Sequence, residues 1–395
     1  MITECKANSI QCFISNTFLS VNSYSGYGNF FYDLPNFILS TLIIFFLCKK
    51  YKIPQVFFCI LILHMTLPLF LNGVIFPPDY MEDQFRYFNG AVQFRSANLY
   101  FEESITVYFA SLLLALVPVP FLFSVVSIGI INKNLFAFLF IYLYKKNLLT
   151  RWSAWFYLLY PSFALYSGLA LRDTLIFLFM IIPSFMLIKN RIFLAFILAL
   201  PLFILKFPIA PILYLTFIGY LFCMKKIDVF SKKRLVFYFM CLFSIYIIVA
   251  PAVLDALNLY RMAMYFEDNG TTDGIVMLTG LYDLTLNIIN GLGSAFLSPS
   301  PLNSSGFQFI QSIENIFIFA FLIGIVFKNF NQQTQGRLLF WLVSFLAIIS
   351  IYSLVVFNLG TFSRYKFPMI AWFVILVSYE IKRTEHPTKP ESVKK

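Results

Sequence analysis

The chain has 395 residues, of which 60% are hydrophobic, 20% aromatic and only 12% charged, with a mean hydropathy of +0.81. That leaves too little polar surface to clothe a soluble globule, so the expected solvent is lipid. The net charge of +11 would point to nucleic acid in a soluble protein, but here Lys and Arg stand in short clusters between apolar runs, the pattern of membrane topology, and no nucleic-acid partner is expected.

The runs are continuous, without the alternation of a barrel strand, which predicts an all-α, polytopic integral membrane protein. In chain order they cover 31–48, 54–76, 122–144, 152–167, 174–188, 192–205, 208–223, 235–253, 312–327, 338–357 and 365–380, about eleven transmembrane helices. Placing Lys49, Lys50 and Lys52 inside puts the basic connectors at Lys145–Arg151, Lys189–Arg191, Lys225–Arg234 and Lys328–Arg337 inside as well. Twenty of the 29 Lys and Arg residues then fall on the inner side and 14 of the 18 acids on the outer side. This sets the N-terminus outside and the C-terminus inside. The first thirty residues lack a basic flank followed by an apolar core, so no cleavable signal is expected. One transmembrane domain is predicted over 1–381, with a polar cytoplasmic tail over 382–395.

Two stretches depart from simple spans. Between Glu103 and Lys145 the chain must cross an odd number of times, and the break at Val117-Pro118-Val119-Pro120 predicts a re-entrant segment near 105–120, followed by a true span at 122–144. The segment 192–205 reaches only about 21 Å, short of a hydrocarbon core of about 30 Å. With 208–223 it predicts a hairpin interrupted by Pro201, Pro208 and Pro211, with Lys206 at a tip set below the outer surface.

Chemistry is expected on the outer side, in the two sizeable loops at about 77–104 and 254–311. In the first, Asp79 and Asp83 are four apart, so on a helix they would share a face with Tyr87, and either could deprotonate an acceptor hydroxyl. Arg86 is a candidate phosphate ligand there; the alternative is an ordinary Glu82–Arg86 pair. The aromatic residues from Tyr80 to Phe101 could stack on sugars or form an interfacial belt. The second loop carries Arg261. The strongest local signal is Arg172-Asp173, an ionic pair between two apolar helices, which is costly in lipid unless paired or facing a wet cavity. Arg364 and Lys366 break the positive-inside pattern at the start of the last helix, either to hold a phosphate or to snorkel. His64, inside an apolar helix, reads as a satisfied core residue. The six cysteines have no metal-ligand spacing, and no metal or cofactor is required, although the outer acids leave room for a divalent cation.

Ser167 to Asp173 followed by an apolar helix, the acidic first outer loop, and Arg364-Tyr365-x-x-Pro368 opening a late helix together resemble bacterial O-antigen polymerases, which join oligosaccharide repeat units. The chain is more distantly similar to GT-C membrane glycosyltransferases. The likeness covers roughly residues 53–380 in architecture, and the additional N-terminal helix departs from the glycosyltransferase pattern. It implies a cytoplasmic (inner) membrane enzyme that takes a polyprenyl-diphosphate-linked glycan as donor and a second one as acceptor on the outer face, in the service of lipopolysaccharide or capsule biosynthesis. A chain-length regulator is an implied partner, beside the lipid bilayer. By position, Asp79 or Asp83 would match the acid of the first outer loop, Asp173 the acid after the fourth helix, and Arg364 the late outer arginine. Arg86, Arg172, Lys206, Arg261, Arg364 and Lys366 would then bind phosphate. Single-sugar transfer from a polyprenyl-phosphate donor is the alternative within this chemistry. Transport of a lipid-linked glycan is the alternative outside it, against which stands the scarcity of midplane polar groups beyond Asn132 and Lys133.

Overall fold

A computed structural model describes residues 30–71, 75, 81, 83–97, 104–226, 229–267, 277–304, 306–328, 335–357 and 359–385. Among them the regular structure is helical apart from one antiparallel strand pair, β1 (Met224–Lys226) with β2 (Val229–Phe230). Five helices are long and apolar enough to cross a membrane, and five shorter apolar ones accompany them. The chain forms two compact units, Met1–Phe179 with Ile204–Lys206, and Met180–Phe203 with Phe207–Lys395.

The first unit contains α1 (Phe30–Lys50), α2 (Gln55–Leu71), α3 (Asp83–Arg95), α4 (Ile105–Ala115), α5 (Val125–Lys145), α6 (Arg151–Leu159), α7 (Pro161–Tyr166) and the first half of α8 (Asp173–Ile188). Its centre is α5, which packs on α1 and α2 and is buried almost throughout. Polar groups set its depth. Ser124 caps it by accepting from the Ser127 amide, and both hydroxyls donate to Asp33 Oδ1 of α1, at 2.6 and 2.8 Å. A carboxylate there also suits the positive end of the helix dipole.

The 105–120 segment is an eleven-residue helix, α4, followed by irregular backbone to residue 124. Arg95, at the end of α3, explains how that break is tolerated. Its guanidinium donates to the carbonyls of Ala115 (3.2 Å), Val117 (2.6 Å) and Val119 (2.6 Å), groups left without helical partners around Pro118.

The second unit contains the rest of α8, α9 (Ile192–Ala199), most of α10 (Leu202–Leu205), α11 (Ile209–Cys223), the strand pair, α12 (Lys232–Glu267), α13 (Leu281–Leu297), α14 (Phe307–Lys328), α15 (Gln335–Val355) and α16 (Leu359–Glu385). Its buried core includes Trp341 and Trp372, and the Trp372 indole donates to Ser184 Oγ at 2.9 Å. Arg337, read from sequence as a plain inner connector, is buried. It pairs with Glu380 at 2.9 Å, and Tyr220 donates to the other carboxylate oxygen at 2.9 Å.

The expected second outer loop is corrected by the helices. Helix α12 runs 36 residues and takes in 254–267, while 281–297 forms α13, so that most of the described part of 254–311 is helical. Polarity does not imply irregularity here: more than half of Ala252 to Phe266 is Ala, Leu, Met and Arg, residues that extend a helix whether or not they face lipid. At about 1.5 Å per residue, α12 measures roughly 54 Å and exceeds any bilayer core.

Candidate functional site

In the first unit the acidic candidates gather at two helix starts. Asp83 opens α3 and is half-buried, and Asp173 opens α8 and is buried. Gln84, beside Asp83, accepts from the Ala170 amide at 2.9 Å, which ties α3 to the turn carrying Arg172 and Asp173. The turn is also docked on α5. Asn132 donates to the Leu169 and Leu171 carbonyls, both at 2.7 Å, and Lys133 donates to Ala164 O (2.5 Å) and Ser167 Oγ (2.9 Å). A Cβ on Gly129 would come within 2.5 Å of the Gly168 carbonyl, so only glycine permits this approach. Asn132 and Lys133, the polar pair noted in the sequence, therefore hold non-helical backbone in place.

His64 fits its core reading. Nε2 lies 2.7 Å from Leu158 O and must donate, which leaves Nδ1 to accept from Lys133 at 3.2 Å, while the ring packs on Phe136. Asp79, Glu82, Tyr80, Tyr100 and Phe101 lie outside the described residues. Tyr87 is 1% exposed, so its ring belongs to the core and cannot stack on a sugar. Arg86 is exposed, Arg172 half-buried, and Lys206 buried in the break between α10 and α11.

In the second unit, Arg261, Arg364 and Lys366 are all buried, at 5%, 5% and 3% exposure, which removes the snorkelling alternative for the last two. Lys366 donates to Ala295 O (3.0 Å) and Asn315 Oδ1 (2.5 Å) and ties α16 to α13 and α14. Arg261 differs. Its guanidinium lies 5.7 Å from the Phe357 ring, and its Nε and Nη1 find no hydrogen-bond acceptor among the described residues. It lines a cavity of about 470 Å³ together with Asn287, Asn290, Ser294, Ser353 and Phe357. This volume falls in the range of small-ligand sites. A buried cation facing amides and hydroxyls is equipped to bind an oxyanion, with neutral donors and acceptors for hydroxyl groups and an aromatic face beside them.

Sequence reasoning named Arg261 but missed the rest of the wall. The signal was present: Asp283, Asn287, Asn290 and Ser294 recur at intervals of four, three and four within an apolar run, one stripe of a helix. Among the described residues no cluster of metal-ligating side chains forms. No family model, curated protein or solved structure matches the chain. The described part is a helical protein with several helices suited to a multi-pass membrane protein, and this much the fold establishes.

Proposed function

We propose that this protein joins polyprenyl-diphosphate-linked oligosaccharide repeat units into a surface polysaccharide, of O-antigen or capsule type, on the outer face of the bacterial cytoplasmic membrane. The observation that carries the reading is the buried Arg261 guanidinium, whose Nε and Nη1 have no hydrogen-bond acceptor among the described residues, in a cavity walled by Asn287, Asn290, Ser294 and Ser353. Such a site suits the phosphates of a lipid carrier next to sugar hydroxyls: the cation stabilises the departing diphosphate and the amides orient the glycan. Within the second unit Arg364 and Lys366 lend positive charge, while Asp83 and Asp173, in the first unit, stand as candidate bases on the sequence resemblance alone. No nucleotide enters this chemistry, which fits an outer site.

Deleting the gene should collapse the surface glycan to a single repeat unit on its anchor, as read by gel electrophoresis of the extracted glycan. Complementation with Asp83→Ala should leave it collapsed at unchanged membrane abundance. Long chains lacking one branch sugar would replace the polymerase by a single-sugar transferase. Long, complete chains in the deletion would remove both readings and return transport to consideration.

A further inference from the structure

Helix α13 is built the wrong way round for a segment in water. Its polar stripe, Asn287, Asn290 and Ser294, faces the cavity, and Gly291 beside it packs on α15. A second stripe with the same period, Tyr282, Leu286, Ile289, Gly293 and Leu297, faces outward, with Tyr282 78% and Ile289 60% exposed. Its third face, with Leu284, Ala295 and Phe296, is buried against the unit. The helix has no Lys or Arg, and its one acid is Asp283 in the first turn. A helix bordering water turns its polar residues outward and its apolar ones inward. Polar residues toward a cavity and apolar ones outside is the arrangement that lipid selects.

The neighbours say what covers the outer stripe. Helices α12 and α14 both pack on α13, both are long and apolar enough to span a bilayer, and both leave large apolar residues outside, such as Ile248 and Phe317. The outer stripe of α13 continues that surface. Depth agrees: the Thr285 hydroxyl is 3.0 Å from that of Tyr246, in the middle of the apolar run 235–253 of α12. At the other end, Ser298 O accepts from Asn315, two turns into α14.

We propose that α13 lies within the bilayer, its outer stripe against acyl chains and its polar stripe walling a water-filled cavity that contains Arg261. The site is then bounded on one side by a single lipid-facing helix, and an amphiphile with an anionic head could approach it from the lipid phase. The proposal goes beyond the functional reading, and its test needs no activity.

In full-length protein with its own cysteines replaced, reconstituted in liposomes, Ile289→Cys would be labelled with bimane and compared with Leu302→Cys, at a position 92% exposed between α13 and α14. Brominated phospholipids should quench the probe at 289 and leave that at 302 bright. A water-soluble thiol reagent should react at 289 about tenfold more slowly than at 302, while Asn290→Cys should react readily. Equal rates at 289 and 302 without lipid quenching would place the stripe in water and overturn the proposal. Oxidative cross-linking of Ile289→Cys into a dimer would overturn it in favour of a second copy. Should Ile289→Cys fail to accumulate, Leu286→Cys and Leu297→Cys give the same readout.

Discussion

Gly291 and Ser353 meet so closely that a Cβ on the glycine would stand 2.6 Å from both the serine Cβ and its Oγ, and 3.1 Å from its carbonyl oxygen. This contact sets the spacing of α13 and α15 and holds Ser353 at the cavity wall. The same absence of a side chain that costs helix propensity is what permits the approach.

Gly291→Ala should therefore destabilise the protein by about 1–3 kcal/mol, the usual cost of overpacking, seen as a lower melting temperature in detergent. Adding Ser353→Gly removes two of the three close contacts and should recover most of the loss. No change in the single variant would mean the helices are not held at this distance.

Arg261 should behave in the opposite sense. A buried guanidinium whose Nε and Nη1 lack protein acceptors among the described residues carries a desolvation cost that the Phe357 ring face offsets only in part. Arg261→Met should leave the melting temperature unchanged or raise it, and should abolish chain extension. Loss of both stability and extension would show that the residue supports the fold.

Arg95→Ala would remove the guanidinium donor from three carbonyls of the 115–119 break, leaving Val117 O with only the Val119 amide at 2.9 Å. Hydrogen bonds from a charged group contribute roughly 1.5–3 kcal/mol each, so the variant should accumulate poorly and be cut by added protease near Pro118. Arg95→Lys should rescue only in part, since an ammonium cannot reproduce the planar fork. Wild-type protease resistance in Arg95→Ala would refute this account of the break.

The Arg337–Glu380 pair gives a test by compensation. Either single change, Arg337→Met or Glu380→Leu, removes the nearest opposite charge from a buried ion and should cost up to about 3–5 kcal/mol, with Arg383, 3.9 Å from Glu380, softening the loss in Arg337→Met, whereas the double change should cost less than the two single changes together. Its readout is the melting temperature across the four-member cycle. Glu380→Leu should lose more than Arg337→Met, because Tyr220 also donates to that carboxylate.

Composition and the continuity of the apolar runs were enough to expect a helical protein with helices suited to a membrane, because backbone groups in a bilayer must be satisfied within the helix and such runs are too continuous for a barrel. The break after residue 115 and the core character of His64 were also legible, since Pro and a lone His on an apolar face each carry local information, whereas Arg261 was named only as a cation of the second outer loop. Most of the second outer loop was misread, because a polar residue in an apolar run looks the same whether it ends a helix or lines one side of it. Only the tertiary structure decided that α12 continues to Glu267, that Arg364 and Lys366 are buried, and that Asn287, Asn290, Ser294 and Ser353 converge beside Arg261. Periodicity gives the face of a helix, but which neighbour that face meets depends on contacts between residues far apart in the chain, and no local pattern encodes them.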